Sequence, residues 1–288
     1  MPGFFGESDV LKTIQLLPGI QSSGEGNSGF YVRGGSIDQN LILYDHGNIY
    51  NAGHLFGFFS VFNADAIQTA EIMKGDIPAN YGGRLSSVLN IQSPIGNMQH
   101  YKGNLGIGLI FSNLHIEGPL LKEKASFLLA ARRTYVDALI QPFLKPTSSL
   151  KGLKFYFYDI NGKLSWQLNH KNQLNLSLYQ GNDTYGFRSP EGALDAQFSW
   201  ANFSTSLQWW HFFNANQNMH LQLNASDYQF DTYMSMEIYK MLVTSGIRDY
   251  SVLWEMTSQK RKKQEISYGV DYTFHRFTPN RYNAEAGS

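Results

Sequence analysis

Leu174-Asn175-Leu176-Ser177-Leu178-Tyr179 alternates side chains one by one between a leucine set and a set of Asn, Ser and Tyr. Successive side chains of an extended chain point to opposite faces, so this stretch reads as a strand with one apolar and one mixed face. The same period continues on both sides. Upstream, Leu164, Trp166 and Leu168 alternate with Lys163, Ser165 and Gln167, and further up Leu105, Ile107, Leu109 and Phe111 alternate with Gly106, Gly108 and Ile110. Downstream, Phe203 to Trp209, Met219 to Ala225, Tyr250 to Met256 and Ile266 to Phe274 repeat it.

The connections sharpen the reading. Short polar turns stand at Leu121-Lys122-Glu123-Lys124, Asn169-His170-Lys171-Asn172, Asn214 to Asn218 and Ser258 to Lys263. Longer segments at about 135–154, 185–196 and 234–246 separate them. Short and long connections in strict alternation describe a meander with tight turns at one end and long loops at the other, as in outer-membrane barrels. A soluble all-β sandwich also alternates. Its strands average five or six residues, whereas several patterns here hold for about ten, the length a tilted membrane strand needs. The Asn, Gln, Ser and Asp of one face suit a wet lumen, and Trp and Tyr near strand ends of the other suit interfacial girdles.

Composition agrees. The 288 residues include 20 Phe, 17 Tyr and 27 Gly, with 16% charged residues, a formal net charge of +0 and no cysteine. Aromatics at this density favour pleated surfaces. Balanced charge gives no basic footprint for nucleic acid, and the absence of cysteine excludes disulfides and thiolate metal sites. No run approaches the ~20 apolar residues of a membrane helix, a fact that does not bear on strands. The start, Met1-Pro2-Gly3-Phe4-Phe5-Gly6, lacks the basic and apolar regions of a signal peptide.

Residues 1 to about 95 are different: short apolar runs interrupted by glycine pairs, with Ser8 placed to cap a helix over Asp9–Leu17 and Asn63 one over Ala64–Ala70. They carry Leu16-Leu17-Pro18-Gly19-Ile20, Gly29-Phe30-Tyr31-Val32-Arg33-Gly34-Gly35, Asp38 to Asp45, His54 to Phe62, Glu71-Ile72-Met73-Lys74-Gly75 and Tyr81-Gly82-Gly83-Arg84. In this order and spacing the series resembles the plug of TonB-dependent receptors, in the version common in Bacteroidetes-type bacteria. Ile116-Glu117-Gly118-Pro119 and Ala131-Arg132-Arg133-Thr134-Tyr135 resemble the family's first barrel strands. The chain departs from the family where Asp45-His46-Gly47 replaces the usual Asp-Gly, which reshapes that turn, and the signature of the glycan-importing branch is absent.

The resemblance implies a mainly β protein: a small α+β plug domain over 1–97, then an incomplete antiparallel transmembrane β-barrel over 98–288. About nine strands of a larger barrel are expected, since the family's barrel has about 22. An incomplete barrel has an open edge, which lipid does not tolerate, so the chain is expected to be a fragment. The implied function is energy-coupled uptake, in the outer membrane of a Gram-negative bacterium, of a siderophore, cofactor, peptide or oligosaccharide. The implied partners are the TonB complex, reached through a missing N-terminal segment, outer-membrane lipid and a small-molecule or oligomeric substrate. The alternative on the same barrel is a non-transporting surface receptor or adhesin.

Arg33 and Lys74, with Arg84 less directly, are expected to form a plug–barrel lock with acidic barrel residues, the bland alternative being solvated lumen charges. Tyr50, Asn51 and His54 are candidates for the substrate-facing plug apex; Phe56, Phe58 and Phe59 packing the plug, with His54 a satisfied polar group, is the competing assignment. Gly34, Gly35, Gly82 and Gly83 are expected to serve the backbone through positive φ or close approach. Gly34-Gly35 is no phosphate loop, since no Lys-Ser/Thr follows. Lys260-Arg261-Lys262-Lys263 is read as a solvated turn. No catalytic constellation, cofactor motif or metal-ligand spacing is present, so no enzyme activity is expected.

Overall fold

The computed structural model describes residues 3–4, 7–24, 28–145, 148, 151–189, 194–236, 239–261 and 264–286. In chain order the plug contributes β1 (Gly3–Phe4), β2 (Glu7–Ser8), α1 (Val10–Ile14), β3 (Ile20–Ser22), β4 (Phe30–Val32), β5 (Asn40–Tyr44), β6 (Gly47–Asn48), β7 (Gly53–His54), β8 (Phe59–Ser60), β9 (Thr69–Met73) and β10 (Ser87–Gln92). A nine-stranded antiparallel meander follows: β11 (Lys102–Ile107), β12 (Phe111–Leu121), β13 (Ala125–Thr134), β14 (Lys154–Asn169), β15 (Asn172–Arg188), β16 (Leu194–Asn214), β17 (Gln217–Met236), β18 (Tyr239–Arg261) and β19 (Gln264–Ala286).

The plug is built on a four-stranded mixed sheet in the order β6-β5-β10-β9, with β5 and β10 parallel. Its core joins Val10, Leu11 and Ile14 of α1 to Phe30, Val32, Tyr44, Val61, Phe62, Leu89 and Ile91, and one wall residue, Tyr179, is part of the same cluster. Asp9, not Ser8, caps α1: its Oδ1 accepts the amides of Leu11 (2.8 Å) and Lys12 (3.1 Å). Its Oδ2 accepts the amide of Ser60 at 2.9 Å, which ties the helix to the β7–β8 hairpin. A carboxylate at a helix start satisfies orphan amides and meets the positive end of the helix dipole. The helix ends at Ile14, well short of Leu17. Asn63 caps only a 3-10 turn over Ala64–Ala66, and Thr69–Met73 is strand because it pairs with β10.

Polarity along the meander alternates by row as well as by residue. Lys163, Ser177, Ser206, Asn224, Ser251 and Thr273 are consecutive cross-strand partners, and every one is polar and turned to the plug side. One residue further along each strand, Leu164, Leu176, Leu207, Leu223, Val252 and Tyr272 form the neighbouring row on the outside, and all six are exposed. Trp166, Leu174, Trp209, Leu221, Trp254 and Val270 make the next outward row toward the tight turns. Apolar outside and polar inside is the arrangement of a barrel wall in lipid, with a tryptophan girdle near one edge. Among the described residues no helix is long and apolar enough to cross a membrane.

Three sequence expectations need correction. The alternation from Leu105 to Phe111 is not one strand: β11 stops at Ile107, and the Gly108 amide bonds the Phe111 carbonyl to turn the chain. The segments 185–196 and 234–246 are mostly not loops. β15 runs to Arg188, β16 starts at Leu194, β17 runs to Met236 and β18 starts at Tyr239, because the two-residue period and the pairing both persist there. The segment 135–154 is a real excursion, with a short helix over Val136–Ile140. The turn glimpsed in Lys260 to Lys263 is bounded by Arg261 and Gln264, and Lys262-Lys263 lie outside the described residues.

Candidate functional site: the seam between plug and wall, and the vestibule above it

The seam is built from polar side chains on the inner face of β13 to β18. Asp45 occupies the two-residue turn between β5 and β6, in which Asp45 (φ 46°) and His46 (φ 69°) are both left-handed. That is the backbone of a type I′ hairpin, which usually takes Asn-Gly. Tertiary contacts hold it instead. The Asp45 carboxylate accepts the amide (3.0 Å) and the hydroxyl of Ser93, and Lys163 of the wall donates to it at 3.1 Å. Lys163 also donates to the Ser93 carbonyl at 2.9 Å, and Gln208 donates to the Asp45 carbonyl at 3.2 Å. Gly47 follows because a Cβ there would land on Ser204 Oγ of the wall. Burial pushes the His46 pKa down, with Asp45 opposing and Lys163 reinforcing that shift.

Higher on the wall the β7–β8 hairpin inserts His54. The ring is 1% exposed and stacks on Phe157 with centroids 4.1 Å apart. Nδ1 lies 2.6 Å from Asp183 Oδ2; Nε2 lies 3.4 Å from Asp159 Oδ2, at ion-pair distance without hydrogen-bond geometry. Asp183 also accepts the Leu55 amide at 2.7 Å. Arg132 donates to Asp159 through Nε (2.8 Å) and Nη2 (2.7 Å) and reaches the Ser60 carbonyl at 2.8 Å. Burial disfavours the charged imidazole, but the two carboxylates outweigh it and the His54 pKa is raised.

Tyr50 donates to Asp249, which also accepts from Asn48 (2.9 Å) and lies 2.7 Å from His275 Nδ1. Burial, with Asp249 adding to it, drives the Tyr50 pKa up. Asn51 exchanges backbone bonds with the Asn202 side chain, whose Nδ2 donates to its carbonyl at 2.8 Å. The residues expected at a substrate-facing apex therefore turn to the wall: His54 is enclosed, and Tyr50 and Asn51 are tied to β18 and β16. The side chains that face open space on that hairpin are Phe56 and Phe58, 54% and 43% exposed, while Phe59 is buried with Leu55 and Phe157.

Arg33, Lys74 and Arg84 are not in this seam. Arg33 (φ 48°) follows β4, and its guanidinium lies against Gly75, so it sits beside the Lys74-Gly75 element. Lys74 donates to the Pro18 carbonyl at 2.7 Å and Arg84 to the Gly83 carbonyl at 2.8 Å. None of the three pairs with a described carboxylate. Gly34 and Gly83 have φ of 82° and 81°, and Gly35 is pressed against Ser86; Gly82 has open space around it and no left-handed backbone. Asp45, Arg132, Lys163 and Asp183 were not singled out from sequence. For Lys163 and Asp183 the signal was weak but present, a charge on the polar face of a strand whose other face is largely apolar; Asp45 sits in a turn, where no such alternation marks it. Among the described residues no cluster of three or more His, Asp or Glu has metal-ligand geometry.

A plug domain seated by hydrogen bonds and buried ion pairs against the polar face of an antiparallel wall is the architecture of part of a plugged β-barrel. Residues 5–87 match the model of the TonB-dependent receptor plug domain. The fold is that of solved TonB-dependent receptors. The Pseudomonas aeruginosa FpvA bound to a heterologous pyoverdine superposes with a TM-score of 0.67 at 14% identity, over 97% of this chain and 41% of that one. The unliganded ferric citrate transporter FecA gives 0.67 at 11% identity, over 98% and 47%. The siderophore receptor PirA from Acinetobacter baumannii gives 0.54 at 14%, over 96% and 55%. The chain thus spans about half the length of the solved structures it matches. No curated protein sequence matches it. The chain accordingly carries a TonB-dependent receptor plug domain, followed by nine strands with the fold of that family's barrel wall.

Proposed function

We propose that the chain is the plug and adjoining wall of an outer-membrane receptor that imports its substrate at the expense of energy delivered by TonB. The observation that carries this is the seam. A gate must be held closed by interactions that are specific yet releasable. Buried ion pairs fit, since breaking one from one side is costly while the intact pair adds little net stability. Asp45–Lys163 and His54 between Asp159 and Asp183 are such pairs. In this reading the tight turns lie on the periplasmic side and the far ends of β15 to β19 outside the cell. Arg33, Lys74 and Arg84 are proposed as further plug contacts to acidic wall residues, and the domain boundary is proposed near residue 97, between β10 and β11.

The test compares cells that carry or lack the receptor, each with and without TonB, by mass spectrometry of what disappears from the medium. A compound depleted only when receptor and TonB are both present supports import. Depletion at the same rate without TonB overturns it. Capture on the cell surface with no TonB-dependent entry would make the protein a binding receptor or adhesin instead.

A further inference from the structure

Two histidines meet where the plug touches the wall. His46 is the second residue of the β5–β6 turn, and its ring lies edge-on to that of His220 on β17, with centroids 5.9 Å apart. His220 faces inward and is 4% exposed. Trp210, its register partner on β16, stacks on it with centroids 3.8 Å and planes 7° apart. The His220 Nε2 is buried and has no hydrogen-bond partner among the described residues. His46 stands where the plug family usually runs from Asp straight to Gly, so this contact belongs to the present chain and not to plugs at large.

The surroundings suit neutral imidazoles and not imidazolium ions. Among the described residues the histidines that pair with a carboxylate are His54 and His275; neither His46 nor His220 does. The charged groups of the elements around the two rings are Asp45 of the turn, Lys163 of β14 and Glu255 of β18. Asp45 is already engaged by Ser93 and Lys163. Lys163 is a cation, and it works against a proton on His46. Glu255 is the register partner of His220, and its carboxylate takes the Asn80 side chain of the plug at 3.4 Å. A charge on each ring would therefore set two cations across the seam, one on the plug and one on the wall, in a partly desolvated place where neither has an anion of its own.

We infer that the His46–His220 contact is an acid-sensitive latch: as neutral rings the two pack the β5–β6 turn against the wall, and proton uptake by both drives them apart and frees the turn. The sign follows from His46. Burial holds its pKa below the ordinary 6.5, so the seated plug binds that proton less well than the released plug does. The contact is at full strength above about pH 6.5 and is lost as the pH falls below it. His54, whose pKa is raised, keeps its proton throughout that acid range and does not contribute to the change. The two histidine sites of the seam thus limit plug seating from opposite sides of neutrality.

The experiment holds the full chain in amphipol and follows hydrogen exchange of the turn, residues 40–48, by mass spectrometry, corrected for the intrinsic effect of pH on exchange. Each linked proton changes an opening equilibrium by at most about tenfold per pH unit, so turn opening is expected to rise about tenfold or more between about pH 6.5 and about pH 5. Peptides of β15 and β16 are expected to stay protected over the same range. His46→Asn keeps a side chain that accepts the left-handed backbone of the turn (φ 69°). With His220→Gln added, the acid response is expected to vanish; either single variant is expected to retain a weaker one. Protection of β15 and β16 at neutral pH reports whether each variant is folded, and His46→Asn alone decides the matter if His220→Gln is not, since it alters no wall residue. Turn opening that does not change with pH, an acid response undiminished in the folded variants, or a wall that opens together with the turn overturns the inference. Neither TonB nor substrate takes part, so a failure of energy-coupled import leaves this result intact, and the reverse.

Discussion

His54 of the plug and Asp183 of the wall stand 2.6 Å apart, fully enclosed, with Asp159 on the other side of the imidazole and Arg132 on the far side of Asp159. These are the charged groups that face His54. Because the carboxylates raise the imidazole pKa above its ordinary 6.5, the folded state binds the proton more tightly than the unfolded chain. The stabilisation is then fully present below about pH 6.5 and is lost as pH rises through the folded-state value. Plug seating is expected to weaken from about pH 6.5 upward. Thermal unfolding followed across that range checks it, and His54→Gln is expected to flatten this part of the profile. A profile unchanged in His54→Gln would remove His54 from the seam's energetics.

Lys163 and Asp45 make the second prediction. Both are buried, and among the described residues Lys163 is the wall cation that pairs with the turn carboxylate. Lys163→Met leaves Asp45 uncompensated and is expected to cost about 3–5 kcal/mol. Asp45→Asn added to Lys163→Met is expected to recover much of that loss, because the stranded charge is gone. Chemical denaturation of the two variants, single and double, measures it, and equal stability of the two would mean that the lysine was not holding the carboxylate.

These pairs show where sequence reading stops. The wall was legible because each strand carries its own evidence: Leu174-Asn175-Leu176-Ser177-Leu178 declares two faces without reference to any neighbour, and nine strands were counted from such patterns. The plug was legible through its ordered short elements. Partners were not legible, because Asp45 and Lys163 are 118 residues apart and His54 and Asp183 are 129 apart. Nothing local to His54 tells whether it points to a vestibule or into a wall. Strand ends failed for a different reason: polar residues at 185–196 look like a loop until pairing such as Tyr185 with Phe198 shows that charges have moved to the outward positions. Helix ends failed because Asp9 competes with Ser8 as a cap, and the contact with Ser60 that selects it is tertiary.

Gly96 lies on the passage from plug to wall, and its backbone gives the third prediction. Its φ is 75°, and a Cβ would come within 2.5 Å of the Phe127 carbonyl oxygen. That neighbour is backbone of β13 and cannot rotate away. Gly96→Ala is expected to destabilise by about 1–3 kcal/mol through strain and overpacking. Gly82→Ala, with open space and no left-handed backbone, is expected to be nearly neutral. The difference in unfolding midpoint between the two variants measures it, and equal midpoints would contradict the close approach.

The outward rows supply the last prediction, and it tests the membrane reading itself. Leu207 is flanked in register by Leu176 and Leu223, points away from the plug and is 40% exposed. In a soluble protein Leu207→Arg at such a position would be tolerated or would improve solubility. In a lipid-facing row near the middle of the apolar band it is expected to cost about 2–4 kcal/mol. Ser199→Arg, on the same face of β16 but eight positions nearer the rim, lies in a row that already holds Asp231 and is expected to cost about 0–1 kcal/mol. Folding of the full chain into lipid vesicles, titrated with denaturant, separates the two. A wall that crosses lipid penalises Leu207→Arg and spares Ser199→Arg, whereas equal small effects would mean that the exposed leucine rows face water.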